Sequence, residues 1–124
     1  MCIRDSLMCA DYRIGTEGRF KIGMNEVAIG MTLPYFAIEI ARRRLSPTHF
    51  DRATVLAELY SPEEAIAPGF LDEVVSPDAL ESTAQAVAET LTKLDMKAHA
   101  ASKLRARRAT LNAIDQMVDA QFNS

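Results

Sequence analysis

Only two cysteines occur in the 124 residues, Cys2 and Cys9. Neither lies in a Cys-x-x-Cys pair or beside a histidine, so the sequence offers no cysteine metal cluster and no disulfide framework. A reducing, cytoplasmic setting is expected, with Cys9 as a small core residue. Excess positive charge is also lacking: the formal net charge is -3, which leaves no basic footprint for nucleic acid. Long apolar runs are absent too. The longest, Ile29 to Ile38, is interrupted by Gly30, Thr32 and Pro34 and falls well short of the roughly 20 residues a bilayer-spanning helix needs. Arg4 and Asp5 sit where a secretory signal would need an unbroken apolar stretch. No internal repeat, linker or low-complexity tract is evident. What remains is 48% hydrophobic and 25% charged residues, the balance of a folded globular chain without a membrane or nucleic-acid partner.

Residues 1–6, MCIRDS, follow neither a strand nor a helix period; they read as a leader foreign to the fold or as the frayed start of the first strand, and neither gives them a function. From Leu7 to Ile14 the run LMCADYRI is apolar except for Asp11 and Arg13, the pattern of a largely buried strand. Gly15 and Gly18 mark a turn. In RFKIG, Phe20 and Ile22 alternate with Arg19 and Lys21, predicting a half-buried second strand that Gly23 ends.

Helices are expected to dominate the rest. The first, from about Pro34 to Leu45, buries Phe36, Ala37, Ile40 and Ala41 and ends in Arg42, Arg43 and Arg44, whose cations suit the negative end of the helix dipole. Ser46-Pro47, Ser61-Pro62 and Ser76-Pro77 each pair a capping hydroxyl with a proline suited to the first helical position. Ser61 and Glu64 form a capping box. FLDEVV, residues 70–75, predicts one more short strand. Beyond it the chain is helical, with Leu80, Ala84, Val87, Leu91 and Leu94 on one face and Ala100, Leu104, Leu111, Ile114 and Val118 on another.

Three stretches together resemble the enoyl-CoA hydratase/isomerase, or crotonase, superfamily: ADYRIGTEGRFKIGMNEVAIG (residues 10–30), SPEEAIAPGFLDEVV (61–75) and AHAASKLRARR (98–108). The first is the specific one; a DYRI strand, a turn, an F-x-I-G strand and an N-E-x-x-x-G segment in series are hard to produce by chance. The resemblance implies an α/β fold: the C-terminal half of a crotonase-like spiral of β-β-α turns, with few short strands followed by mostly α-helices. Residues 7–75 would close the spiral core, and 76–124 would be the helical region that builds trimers or hexamers. By the same resemblance, the N-terminal half of a subunit supplies the oxyanion-hole amides and most CoA-binding loops. The chain as given is therefore expected to be a fragment, inactive alone and with exposed apolar faces.

Glu26 matches the family's catalytic glutamate. Met24, Val27, Ile29 and Met31 flank it, and apolar surroundings raise a carboxylate's pKa toward the range where it exchanges protons near neutral pH. The plainer reading is a surface or helix-capping acid. Asn25 before the glutamate and LPYF after it resemble the 3,2-enoyl-CoA isomerase branch more than hydratases, which tend to have proline before it and a P-G-x-G-G turn after. Leu33, Pro34, Tyr35 and Phe36 would wall an acyl pocket, or simply begin a buried helix. Lys103 matches a lysine that reaches CoA phosphates or adenine, although Lys103, Arg105, Arg107 and Arg108 also read as one solvated helix face. His49 and His99 have no nucleophile or metal-type partner at helical spacing. The resemblance implies an acyl-CoA thioester as partner, no cofactor beyond the CoA carried by that substrate, and no metal. Other crotonase reactions, hydrolase or lyase, and a non-catalytic helical oligomerisation module are the alternatives.

Overall fold

The computed structural model describes residues 3–122. The chain divides into two compact units, one ending at Leu80 and one starting at Glu81, which are taken separately below. The result is the expected α/β chain of few short strands and mostly helices.

The first unit opens with helix α1, Ile3–Met8, where a strand was expected over residues 7–14. Short apolar runs do not distinguish helix from buried strand, and here Met8 is buried while Cys9 and Ala10 face out. Cys9 is therefore an exposed free thiol and not a core residue. Strand β1, Ile14–Thr16, begins only after a bend. Strand β2 is limited to Ile22–Gly23. Phe20 does not join a buried face: it is 58% exposed, its ring lying over Gly18, where a Cβ would come within 2.5 Å of it.

The two strands do not pair with each other. Strand β2 runs antiparallel to β3, Leu59–Tyr60. Strand β1 runs parallel to β4, Glu73–Val75, in the register Ile14 to Glu73 and Thr16 to Val75. Between them lie α2, Tyr35–Arg44, and α3, Pro47–Thr54. Helix α2 buries Ala37 and Ala41, with Leu45 four residues further on, the i, i+4 stripe of a helix seated on a core. It packs against both α1 and α3. Phe36 stays on its outer side and Ile40 is half-buried. Phe70, Met24 and Tyr60 complete the core from the loops and strands.

The serine-proline signals divide. Ser46 precedes α3 with extended dihedrals but makes no side-chain cap; its Oγ instead lies 2.7 Å from His49 Nδ1. His49 thus has a hydroxyl partner that spacing alone did not suggest. Ser61 and Glu64 form both capping-box bonds, at 3.0 and 3.3 Å, yet residues 62–69 continue as turns and not as a helix. Pro68 lacks an N–H and disfavours a helical Ala67, leaving too few residues to propagate. Gly69 then adopts φ +102°, with its backbone so close to Arg44 that a Cβ would meet Arg44 O at 2.9 Å.

One carboxylate ties this unit together. Asp72 Oδ2 accepts the Arg13 amide at 2.8 Å and Arg13 Nη2 at 3.3 Å, while Oδ1 accepts Arg44 Nη2 at 2.7 Å. The start of β1, the end of α2 and the approach to β4 meet at this group. Arg13 is fully buried and also donates to Met8 O.

A single 3-10 turn over Pro77–Ala79 lies at the end of the first unit, and the second unit holds α4, Leu80–Leu91, from its second residue on, and α5, Met96–Phe122. The expected apolar faces are exposed at Leu91, Leu94, Leu104, Leu111 and Val118. The half-buried positions of α5 include Lys103, Arg107, Ile114 and Met117. The stripe turned inward is therefore more polar than the hydrophobic periodicity predicted. Among the described residues, no helix is long and apolar enough to cross a membrane.

Candidate active site

Glu26 ends the loop after β2 and caps a single 3-10 turn, Val27–Ile29. Its carbonyl accepts the amides of Ile29 and Met31, and Gly30 closes the turn at φ +78°, a left-handed conformation for which glycine is suited. The turn is thus held by backbone bonds, which leaves the Glu26 side chain free to face its surroundings.

Those surroundings are polar. Arg4 of α1 grips the carboxylate with both arms, Nη2 to Oε1 at 2.6 Å and Nη1 to Oε2 at 3.2 Å. The same guanidinium donates to Gly23 O at 3.2 Å and to Asp5 Oδ1 at 2.9 Å. The side chains of Arg4 and Glu26 are only 13% and 17% exposed. Burial alone would push the Glu26 pKa up, but hydrogen bonds from Arg4 and from its own amide, with the Arg4 charge, outweigh it and hold the carboxyl below its ordinary value. The expected rise toward neutrality is therefore reversed. Its physical cause is a cation 22 positions away in the chain, which no spacing rule brings to mind.

The apolar neighbours do not enclose the acid either. Met24 is fully buried beneath the loop, but Val27, Ile29 and Met31 are 48%, 62% and 57% exposed. Asn25 is exposed. The stretch expected to wall an acyl pocket splits: Leu33 is buried in the core, whereas Pro34, Tyr35 and Phe36 lie on the surface, Tyr35 at 72%. Asn25, Glu26 and the exposed residues from Val27 to Phe36 occupy one continuous stretch of the first unit. Lys103 belongs to the second unit, half-buried on α5 and engaged with other groups.

Chemically, the stretch offers one carboxylate paired with Arg4, followed in the chain by exposed apolar side chains. A carboxylate below its ordinary pKa is present as a base at neutral pH. The residues that spacing missed are Arg4 and Asp5, assigned no role in the sequence, and the Ser46–His49 pair.

Known proteins share this architecture. A crystal structure of an enoyl-CoA hydratase/isomerase family protein from Pseudomonas syringae superposes with a TM-score of 0.91 at 46% identity, covering 96% of this chain and 53% of that one. A Mycobacterium tuberculosis protein, described in one solved structure as an enoyl-CoA isomerase and in another as a probable enoyl-CoA hydratase, gives 0.87 at 41% identity in both, over 94% and 97% of this chain and 51% and 52% of that one. The mouse mitochondrial enoyl-CoA delta isomerase 1 is 27% identical over 118 residues, 94% of this chain and 41% of the relative. The chain spans about two fifths of that curated relative and about half of those solved chains. With the enoyl-CoA hydratase/isomerase family model matching residues 6–123, nearly its whole length, the chain belongs to that family.

Proposed function

We propose that this chain carries the general base of an isomerase-type enoyl-CoA enzyme, with Glu26 as that base. The carboxylate takes a proton from C2 of a 3-enoyl thioester. The electron pair of the C2–H bond moves toward the thioester carbonyl, giving a dienolate whose oxygen is held by backbone amides upstream of this chain. The resulting Glu26 acid returns the proton to C4, so the double bond moves from C3–C4 to C2–C3 and the carboxylate is regenerated. No cofactor enters; coenzyme A is the handle of the substrate. Tyr35 and Phe36 offer apolar surface to the acyl chain, and Lys103 a cation for the CoA phosphates. The exposed apolar residues of α5 support assembly into trimers or hexamers, since large exposed apolar patches mark association.

The observation that carries this reading is the likeness to isomerases. The mouse relative bears that name, as does the Mycobacterium tuberculosis protein in one of its two descriptions, and Asn25-Glu26 followed by Leu33-Pro34-Tyr35-Phe36 departs from the hydratase pattern. A chimera tests it: the first half of the Pseudomonas syringae family protein joined to this chain from Leu7 onward. Turnover of 3-enoyl but not hydration of 2-enoyl thioesters is expected. Hydration at a rate matching or exceeding isomerisation would move the chain to the hydratase side. Thioester hydrolysis without either would select another reaction of the superfamily.

A further inference from the structure

We infer that Gly30 is a positioning residue for the candidate base: its left-handed backbone folds the chain back onto Glu26 and so fixes the direction in which the carboxylate leaves the turn. The inference rests on the reading of Glu26 as the base; the backbone geometry itself does not depend on that reading.

The base stands on an exposed turn pinned at both ends. Met24 before it and Leu33 after it are buried in the core, while between them every residue but Glu26 is exposed. Packing therefore holds the two ends and leaves the course of residues 25–32 to backbone bonds. Two of these converge on one atom. Glu26 O accepts the Ile29 amide at 3.1 Å and the Met31 amide at 2.8 Å, and Val27 O accepts the Gly30 amide at 3.2 Å. The shortest of the three reaches across Gly30, and it closes because Gly30 stands at φ 78° and ψ 20°, a region that L residues other than Asn and Asp seldom enter. A residue that left it for negative φ would carry the Met31 amide away from Glu26 O. The Glu26 backbone, now at φ -54° and ψ -46°, would lose a bond that fixes it, and its Cα–Cβ direction would turn with it. At this position the demand for glycine is separable from packing. Gly18 and Gly69 also have positive φ, but there a Cβ would meet the Phe20 ring at 2.5 Å and Arg44 O at 2.9 Å. At Gly30 it would meet nothing within 4 Å among the described residues. The dihedral alone calls for glycine, and what the dihedral secures is the aim of Glu26.

The test compares Gly30→Asn, Gly30→Ala and Gly30→Val, in order of decreasing tolerance for the left-handed region. In the chimera described above, kcat on 3-enoyl thioesters should fall in that order, by on the order of 10²-fold for Gly30→Val, the loss expected when a reacting group is misplaced by about 1 Å. KM should change little. Added to Glu26→Gln, Gly30→Val should cost almost nothing further, because no base is left to aim. In the full chain, hydrogen exchange followed by NMR should show the Met31 amide several-fold faster in Gly30→Val than in the wild type. Equal kcat across the three variants, with Glu26→Gln inactive, overturns the positioning and keeps the base. So does a Gly30→Val loss as large in the Glu26→Gln background as alone, which is the mark of a merely structural role. A faster Met31 amide with Glu26→Gln still turning over at the unmutated rate rejects Glu26 as the base, and the positioning with it, while leaving the turn as described. If Gly30→Val fails to fold, Gly30→Ala decides on the same readouts.

Discussion

Replacing Asp72 with alanine should be among the most damaging single changes in the first unit. Asp72 accepts three hydrogen bonds, two from Arg13 and one from Arg44. The two arginines respond differently to its loss. Arg44 has a side chain 20% exposed and keeps a 2.8 Å bond to Gly69 O, so it can turn to water. Arg13 cannot: its side chain is 0% exposed, its Nε already lacks a partner among the described residues, and only Met8 O would remain. Stranding a buried charge by removing its partner costs about 3–5 kcal/mol. Against a typical domain stability of about 5–15 kcal/mol, that is about a fifth of the total or more. Urea unfolding read by far-ultraviolet circular dichroism gives the loss as a shift in midpoint at constant m. Asp72→Asn, which keeps acceptor capacity without charge, should lose less. The double replacement Asp72→Ala with Arg13→Met should recover part of the loss, because no charge is left buried. A loss below about 1 kcal/mol for Asp72→Ala would refute this account of the buried pair.

Four other outcomes follow from the same contacts. Glu26→Gln in the chimera should lower kcat by about 10²- to 10⁴-fold with thioester binding little changed, measured by steady-state kinetics on 3-enoyl substrates. The folded Glu26 carboxyl lies below its ordinary value, so the stability it contributes is present above its unfolded pKa of about 4.3 and is lost as pH falls through the folded value; the gap in stability between wild type and Arg4→Met should narrow over that acid range in melts from pH 6 to 3. Gly69→Ala should destabilise by about 1–3 kcal/mol, since φ +102° and Arg44 O at 2.9 Å both oppose a Cβ. Phe70→Ala, at a fully buried position, should cost about 3–5 kcal/mol in the same urea assay.

Much of the architecture was legible because it depends on local chemistry. The Ala37, Ala41 and Leu45 stripe, the arginines ending α2, the Ser61–Glu64 box and the β-branched end of FLDEVV each carry their signal within a few residues. What was misread depends on distant partners. Residues 7–12 look alike as strand or helix until Met8 is seen against α2, and Cys9 is exposed only because that helix turns it out. Strand pairing was invisible: nothing local to Ile22 announces Tyr60. The same holds for the site. Glu26 was singled out by its motif, but its electrostatics come from Arg4, and Leu33 was drawn from the expected pocket wall into the core by the packing beneath α2.

The parallel pairing of β1 with β4 has a kinetic side. Arg13 and Asp72 are separated by 59 positions, and a loop of that size must close before any ladder bond rewards the closure. The helices between them are local and form quickly, so β1 should be a late arrival that docks onto an assembled α2 and α3. Its opening should then be a single event, releasing the Arg13 amide from Asp72 and the Glu17 amide from Val75 O together. In hydrogen exchange these two amides, on either side of the strand, should share one opening free energy, below that of the Ala41 turn of α2.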